Sequence, residues 1–350
     1  MINPRRVRAA FLLGPLLGAS SLLQAAEGPY VFKKDIAITG EGGWDYLSVD
    51  AAARRLYVTH GTKVAVIDMD TDTVVGEVAD TPGVHGFAIA SDLGRGFSSN
   101  GAENKAAIYD LKTLALVSKV ETGANPDSIL YEPGGKEVYT FNGRGQNATV
   151  FDAKTGAVVA TIPLDGKPEF AMVDAKLGRI YVNIEDKSVV RAIDIKTHTV
   201  AASWSLAPGE EPTGLAFDPK TRRLFSACSN KQIVVMDVDS GKVVTTFPIG
   251  AGVDAVWFDP GNNNVLASSS DETLTVAHLD SANKLSLVQT LKTPARARTM
   301  ALDPKTHNVY VATAQFEAAP PPAPGAPRVR PKMVPGSFHV AVFAMSPAAK

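Results

Sequence analysis

The chain alternates between apolar and polar positions in short runs, and turn-forming residues separate the runs. Runs of this kind with a period of two are typical of half-buried β-strands. One clear group consists of Gly214–Phe217, Arg223–Ala227, Gln232–Asp237 and Val243–Ile249. Sequences such as Asp-Pro and Asp-Ser-Gly, which form turns, lie between these runs. No stretch after residue 26 keeps a helical period, so the pattern predicts an all-β protein.

This group of four strands repeats along the chain. An aspartate ends the third run of successive units at intervals of 42 or 43 residues, at Asp68, Asp110, Asp152, Asp194, Asp237 and Asp280. A large apolar or aromatic residue in the second run occurs in the same phase, at Tyr57, Phe97, Tyr139, Tyr181, Phe225, Leu266 and Tyr310. Seven repeats of four strands predict a seven-bladed β-propeller. We further predict that the repeated aspartates cap the turn after the third strand.

The two ends of the chain are predicted to share one blade. The seventh unit starts at Arg298, its third strand is predicted at Phe338–Met345, and no fourth strand follows. The segment Phe32–Thr39 resembles the fourth strand of the other units. The N-terminal strand would therefore complete the last blade and leave no open sheet edge at the seam. On this interpretation residues 27–350 form a single propeller, which we expect to be monomeric.

Several short motifs then give a family resemblance. Tyr57-Val58-Thr59-His60 differs by one residue from Tyr-Val-Thr-Asn, and Tyr181-Val182-Asn183 and Tyr310-Val311 are related to it. Over about residues 30–345 the chain resembles the YVTN-repeat (YncE-like) β-propellers, within the wider WD40/YVTN-like group. The resemblance implies a propeller that is exported or on the cell surface. It implies no particular activity, because the motif residues are structural. A true WD40 repeat is disfavoured, since Trp44-Asp45 occurs once and at the start of a first strand.

The first 26 residues have the pattern of a signal peptide. Arg5, Arg6 and Arg8 precede the apolar segment Ala9–Leu23, which is too short to span a bilayer comfortably. We therefore expect a periplasmic protein without a membrane span once residues 1–26 are removed; an uncleaved membrane anchor is the alternative. Removing three arginines takes the formal charge from −1 to about −4. Cys228 is the only cysteine, which excludes an intramolecular disulfide.

The repeats also act as an internal alignment that identifies candidate functional positions. The first position of each innermost strand would line one mouth of the central channel, and these positions hold Asp45, His85, Asp127, Glu169, Thr213, Asp254 and Arg298. Most of these residues are ionisable, and they vary between repeats, so the scaffold alone does not require them. The second strands end on the same face, where His60, Asn100 and Asn142 would form an outer polar ring. A ligand site at this mouth is predicted; a water-filled polar channel is the alternative.

A divalent cation is one candidate ligand for this mouth. Converging carboxylates repel each other unless a cation, bound water or Arg298 compensates their charge. Carboxylate oxygens together with one imidazole suit an ion such as Ca²⁺, Mn²⁺ or Zn²⁺. The candidate metal ligands are Asp45, His85, Asp127, Glu169 and Asp254. A metal ion and another ligand both remain open at this point.

The seventh unit contains an insertion at residues 315–336. This segment is rich in proline and carries the basic residues Arg328, Arg330 and Lys332. Such a composition favours an extended chain that packs no core. It is either a tolerated loop or a basic arm that covers the mouth or contacts a partner.

Three classes of function are compatible with these features. The favoured one is an exported module that binds a small molecule or a protein partner through its acidic mouth. The alternative is a metal-assisted lactonase or lyase that uses the same residues, with His85 as base. Binding of single-stranded nucleic acid comes third, because the acidic mouth repels phosphates. Gly-x-Ser-x-Gly, His-Glu-x-x-His and P-loop motifs are absent, so enzymatic activity stays open, with a non-catalytic role favoured.

Overall fold

The computed structural model describes residues 28–318 and 331–346, and these residues form strands arranged in seven sheets. The predicted signal peptide, residues 319–330 of the insertion and the last four residues lie outside this range. No helix within the described range is long and apolar enough to cross a membrane. One short 3₁₀ turn, Glu185–Lys187, is present. The prediction of an all-β, seven-bladed propeller is confirmed.

The first strand is β1 (Tyr30–Ala37), and the strands of the blades follow it in chain order. Blade 1 contains β2 (Leu47–Asp50), β3 (Arg55–His60), β4 (Lys63–Asp68) and β5 (Thr73–Val78). Blade 2 contains β6 (Val84–Ala90), β7 (Arg95–Asn100), β8 (Lys105–Asp110) and β9 (Leu116–Glu121). Blade 3 contains β10 (Pro126–Glu132), β11 (Glu137–Asn142), β12 (Asn147–Asp152) and β13 (Val158–Pro163). Blade 4 contains β14 (Pro168–Asp174), β15 (Arg179–Ile184), β16 (Val189–Asp194) and β17 (Thr199–Ser205).

The remaining strands build three further blades. Blade 5 contains β18 (Pro212–Asp218), β19 (Arg223–Cys228), β20 (Gln232–Asp237) and β21 (Lys242–Pro248). Blade 6 contains β22 (Val253–Asp259), β23 (Asn264–Ser269), β24 (Thr273–Ser281) and β25 (Lys284–Lys292). Blade 7 contains β26 (Thr299–Leu302), β27 (Val309–Thr313) and β28 (His339–Met345). Each blade is antiparallel. The strands nearest the channel contact one another in turn around it, and they are β2, β6, β10, β14, β18, β22 and β26.

Strand β1 closes the ring as predicted. It pairs antiparallel with β28, with a register from Tyr30 opposite Met345 to Ala37 opposite His339, so blade 7 has the order β1-β28-β27-β26. The strand lies two residues earlier than the predicted Phe32–Thr39. The first strands β2 and β26 also contact each other across the seam.

The core lies between neighbouring blades. Seven clusters of buried apolar residues fill the seven interfaces, one for each pair of adjacent blades. The large residue that marks each second strand is buried in all seven blades. At the interface of blades 1 and 2, for example, the rings of Tyr57 and Phe87 stack with centroids 4.7 Å apart. Burying a large apolar side chain contributes roughly 1.5–3 kcal/mol, so the repeated marker stabilises every interface.

The repeated aspartates cap turns in five of the six predicted cases. Asp152, for example, accepts hydrogen bonds from the backbone amides of Lys154 (3.0 Å) and Thr155 (2.7 Å). Asp68, Asp110, Asp194 and Asp237 make equivalent bonds. The prediction is wrong for Asp280. Its hairpin is longer, and its carboxylate pairs with Lys284 (2.9 Å) and Ser286 (2.9 Å) instead.

Acidic residues at or just after the end of several first strands link neighbouring blades on the face opposite the mouth. Asp303 of blade 7 is buried and pairs with Arg54 of blade 1 at 2.8 Å. Asp174 of blade 4 pairs with Arg222 of blade 5 at 2.7 Å. Sequence reasoning missed these pairs, because each partner lies in the first turn of a different blade.

Candidate functional site

The predicted mouth residues lie where the innermost strands begin. His85, Asp127, Glu169, Thr213 and Asp254 are each the second residue of a strand, whereas Asp45 and Arg298 lie just before theirs. Pairing with the second strand is interrupted at these positions in five blades, as between Pro126 and Ile129. A bulge redirects the side chains within it. The side chains are thereby released from the sheet and meet residues of other blades.

Three of these residues form a compact cluster. The Nδ1 atom of His85 lies 2.7 Å from Oδ2 of Asp45 and 3.6 Å from Oδ1 of Asp127. One possible ligand atom from each residue lies within 4.8 Å of the other two. His85 therefore lies between two carboxylates that come from the neighbouring blades on either side.

Glu169 lies apart from this cluster and has its own partners. Nζ of Lys167 lies 2.7 Å from Oε1 of Glu169, and Lys167 also pairs with Glu185. The hydroxyl of Tyr46, from blade 1, donates a hydrogen bond of 3.4 Å to Oε2 of Glu169, in blade 4. A contact between blades 1 and 4 crosses the channel.

An aromatic layer crosses the channel beneath the mouth. The ring of Tyr46 packs on Phe170 at 5.3 Å, and Phe170 packs on Trp257 at 6.3 Å. These residues come from the innermost segments of blades 1, 4 and 6. Nε1 of Trp257 donates to the carbonyl of Met300 at 2.8 Å, which fixes the indole. The mouth is therefore a cup with an aromatic floor.

Asp254 and Arg298 form the opposite part of the mouth. Nε of Arg298 lies 3.2 Å from Oδ2 of Asp254, and the arginine side chain is half exposed while the carboxylate is largely buried. The charge of Asp254 is the main reason that the pKa of Arg298 is raised. Arg298 thus supplies the compensating positive charge that the sequence suggested.

The carboxylates of the mouth are harder to ionise than usual. Burial, with the charge of Asp45, raises the pKa of Asp127 to about 6. Burial raises the pKa of Asp254 to about 7, although Arg298 opposes the shift. Burial and the charge of Asp127 raise the pKa of Glu169 well above its ordinary value. Burial is the largest cause of all three shifts, so these carboxyl groups keep their protons to a higher pH than exposed ones do.

The imidazole of His85 is shifted toward its charged form. Burial acts to lower its pKa, but the hydrogen bond with Asp45 and the charges of Asp127, Asp45 and Glu169 outweigh it. The resulting pKa is about 9. At neutral pH a proton on His85 therefore serves as the local counter-charge between the two aspartates.

The three clustered residues can hold a divalent ion. Two carboxylate oxygens and one imidazole nitrogen within 4.8 Å can share one ion, with water completing its coordination. Only three of the five predicted ligands, Asp45, His85 and Asp127, belong to this group. Glu169 and Asp254 are outside it, since Lys167 and Arg298 pair with them.

The predicted outer ring lies inside the blades. His60, Asn100 and Asn142 are fully buried. The imidazole of His60 stacks on Phe338 with centroids 4.1 Å apart, and Nδ2 of Asn142 donates to Thr149 at 3.0 Å. These residues support the ends of the second strands and present no surface to a ligand. Cys228 is also buried, and burial raises the pKa of its thiol to about 12, as expected for an inert cysteine.

A cleft of about 1010 Å³ opens beside the mouth. Asp254 and Arg298 form one side, and Trp44, Phe316 and Met333 form another. Phe316 and Met333 belong to the described base of the insertion, where they oppose each other in an antiparallel bridge. The base of the insertion thus borders the mouth, and both alternatives for the segment, a tolerated loop and a basic arm, stay open.

Sequence reasoning missed Tyr46, Lys167 and Trp44. Tyr46 follows Asp45 directly, and Lys167 lies two residues before Glu169, so both are close to predicted positions. Their roles depend on distances across the channel and between loops, which the repeat alignment does not contain. The one sequence signal for Trp44 is that a large aromatic residue stands in a loop, where polar residues are usual.

Comparison with known proteins supports the class of fold. The chain is similar to a solved structure of Kuenenia stuttgartiensis hydrazine synthase, with a TM-score of 0.68 and 14% sequence identity over 78% of this chain and 94% of that chain. At this identity the likeness shows the fold alone. No protein-family model and no curated protein matches the sequence. The protein is a seven-bladed β-propeller, and the YVTN-repeat family remains a resemblance.

Proposed function

We propose that this chain is an exported binding module whose cup-shaped mouth takes a divalent cation at Asp45, His85 and Asp127. The observation that carries this proposal is the convergence of two carboxylates on one imidazole within 4.8 Å. The propeller fold supports a binding role, because its loops and strand starts surround one central site. The ring contacts of Tyr46, Phe170 and Trp257 join three blades beneath this site.

The electrostatics of the mouth favour a cation. Burial and the charge of Asp45 raise the pKa of Asp127, so a positive ion beside this carboxyl group would favour its ionised form. A bound divalent ion stabilises the ionised forms and releases protons. A mixed set of imidazole and carboxylate suits Zn²⁺ or Mn²⁺ better than Ca²⁺, which prefers oxygen ligands.

Calorimetric titration of Zn²⁺ and Mn²⁺ into protein stripped with chelator tests this proposal. We expect one ion per chain, and affinity that rises between pH 6 and pH 8 because the ion displaces the proton of His85, whose pKa is about 9. Asp127→Asn should weaken binding at least tenfold. The control Asp70→Asn removes an exposed carboxylate on the opposite face. Equal affinity of both variants would contradict the proposal.

Export to the periplasm forms part of this proposal and rests on residues 1–26. The basic residues and apolar segment of that region support cleavage and secretion. Cell fractionation followed by N-terminal sequencing of the mature chain tests it. A protein found in the cytoplasm with residue 1 intact would contradict it.

A metal-assisted lactonase or lyase is the second candidate function. The cluster itself supports this candidate, because an ion held by Asp45, His85 and Asp127 would keep open positions at which it could polarise a carbonyl or a water molecule. The zinc-loaded protein should then hydrolyse a simple lactone, and chelator should abolish the reaction. If the metal-loaded protein shows no turnover, the enzymatic candidate is contradicted and the binding role is retained.

A further inference from the structure

The cleft beside the mouth has a rigid apolar wall. Phe316 packs on Trp44 with centroids 6.0 Å apart, and Trp44 packs on the buried ring of Phe338 at 5.2 Å. The backbone amide of Glu317 donates to the carbonyl of Lys332 at 2.9 Å. These contacts fasten the base of the insertion to blades 1 and 7, so the wall exists without a ligand.

The same cleft contains a cation, Arg296, without a carboxylate partner among the described residues. The guanidinium of Arg296 lies 4.1 Å from the centroid of the Phe316 ring. Within residues 28–318 and 331–346, no carboxylate pairs with Arg296. Arg298 is half exposed and pairs with Asp254 through Nε. Planar guanidinium groups bind carboxylates through two parallel hydrogen bonds.

We propose that this cleft binds a small aromatic carboxylate, with its carboxylate at Arg296 and its ring against Trp44 and Phe316. The volume of about 1010 Å³ accommodates a molecule of this size. The aromatic wall provides apolar contact for the ring, and the guanidinium held on that wall selects a negative head group. The site does not depend on a metal ion in the neighbouring Asp45–His85–Asp127 cluster.

Three probes that share an indole ring and differ in the charge of the side chain test this proposal: indole-3-acetate, tryptamine and indole-3-ethanol. Binding is measured by calorimetry on the mature protein in the presence of chelator. We expect indole-3-acetate to bind about tenfold more tightly than the neutral alcohol, with the amine weakest, because charge-assisted hydrogen bonds to arginine are strong. Equal affinities for the three probes would overturn the proposal.

Two variants and two controls locate the site. Arg296→Gln should weaken binding of indole-3-acetate about tenfold and remove the preference for the anion. Phe316→Leu should weaken all three probes. Lys292→Gln removes a highly exposed positive charge outside the cleft and should leave affinity unchanged. Asp70→Asn, which removes an exposed carboxylate on the opposite face, should also retain binding. Because the probes are measured with chelator present, failure of this proposal and failure of the cation proposal are distinguishable. Unchanged affinity in Arg296→Gln, with the fold intact by circular dichroism, would overturn the assignment.

Discussion

Asp254 shows how burial and pairing compete at a single residue. Burial raises its pKa to about 7 even though Arg298 lies 3.2 Å away. An acid with a raised pKa in the folded state binds more protons when folded than when unfolded. The stability that it contributes therefore falls as pH rises from its unfolded value of 3.8 to about 7.

We compare the stability of the Asp254→Asn variant with that of the native protein. We expect the difference to favour the variant more at pH 8 than at pH 4. The asparagine cannot ionise, so the variant avoids a cost on the order of 4 kcal/mol that the native carboxylate bears at pH 8. The measurement is the melting temperature of both proteins across this range, with Asp70→Asn as the matched control. A difference between variant and native protein that stays constant with pH would contradict the raised pKa.

The pKa of His85 should be raised in the folded protein, whereas burial alone lowers the pKa of a histidine. Its pKa in the folded state is raised from 6.5 to about 9, so its contribution to stability is complete below pH 6.5 and is lost as pH rises through 9. We expect the ring protons of His85 to report a pKa near 9 by NMR, and Asp45→Asn to lower that pKa. A pKa at or below 6.5 in the metal-free protein would contradict the described pairing.

At the scale of the element, the sequence predicts most of the capped turns but not the exceptional hairpin at Asp280 or the bulges. The spacing of the aspartates correctly predicts five capped turns, because an aspartate two residues before a turn amide bonds it locally. Asp280 keeps the spacing but not the bond, since its hairpin extends to Ser281 and Lys284. The bulges that release Asp127 and Glu169 were not predicted either, because a period-two pattern does not reveal an extra residue.

Asp152→Ala should therefore destabilise the protein more than Asp280→Ala. Asp152 accepts two backbone amide bonds, and their loss should cost about 1–2 kcal/mol. These bonds lower the pKa of Asp152, so its advantage is present above the unfolded pKa and disappears as pH falls through the folded one. Urea denaturation of both variants at pH 7 and at low pH measures the difference. Equal loss at pH 7 would contradict the capping role.

At the scale of the whole molecule, the repeat predicts the ring because each blade must bury its faces against two neighbours. The seven buried markers and the seven apolar clusters satisfy this requirement. The channel floor could not be predicted. It requires that Tyr46, Phe170 and Trp257 meet across the axis, which depends on blade tilt and not on sequence spacing. The mouth ring was located from the repeat alignment, but its division into separate groups was not.

Closure by β1 makes a prediction about the two chain ends. A chain that begins at residue 39 lacks β1 and exposes β28, so we expect it to lose much of its cooperative unfolding and to associate through the open edge. Moving residues 28–38 to a position after residue 346 through a short linker should restore monomeric folding. Light scattering and thermal unfolding measure both proteins. Native-like stability of the truncated chain would contradict closure.

The central claim is that the mouth cluster is a cation site, and anomalous scattering from crystals soaked in Zn²⁺ or Mn²⁺ tests it most directly. We predict one strong anomalous peak between Asp45, His85 and Asp127, at about 2.0–2.2 Å from their ligand atoms for Zn²⁺. The peak should vanish in Asp127→Asn and persist in Asp70→Asn. Anomalous peaks confined to other parts of the surface, with the cluster empty, would contradict the account.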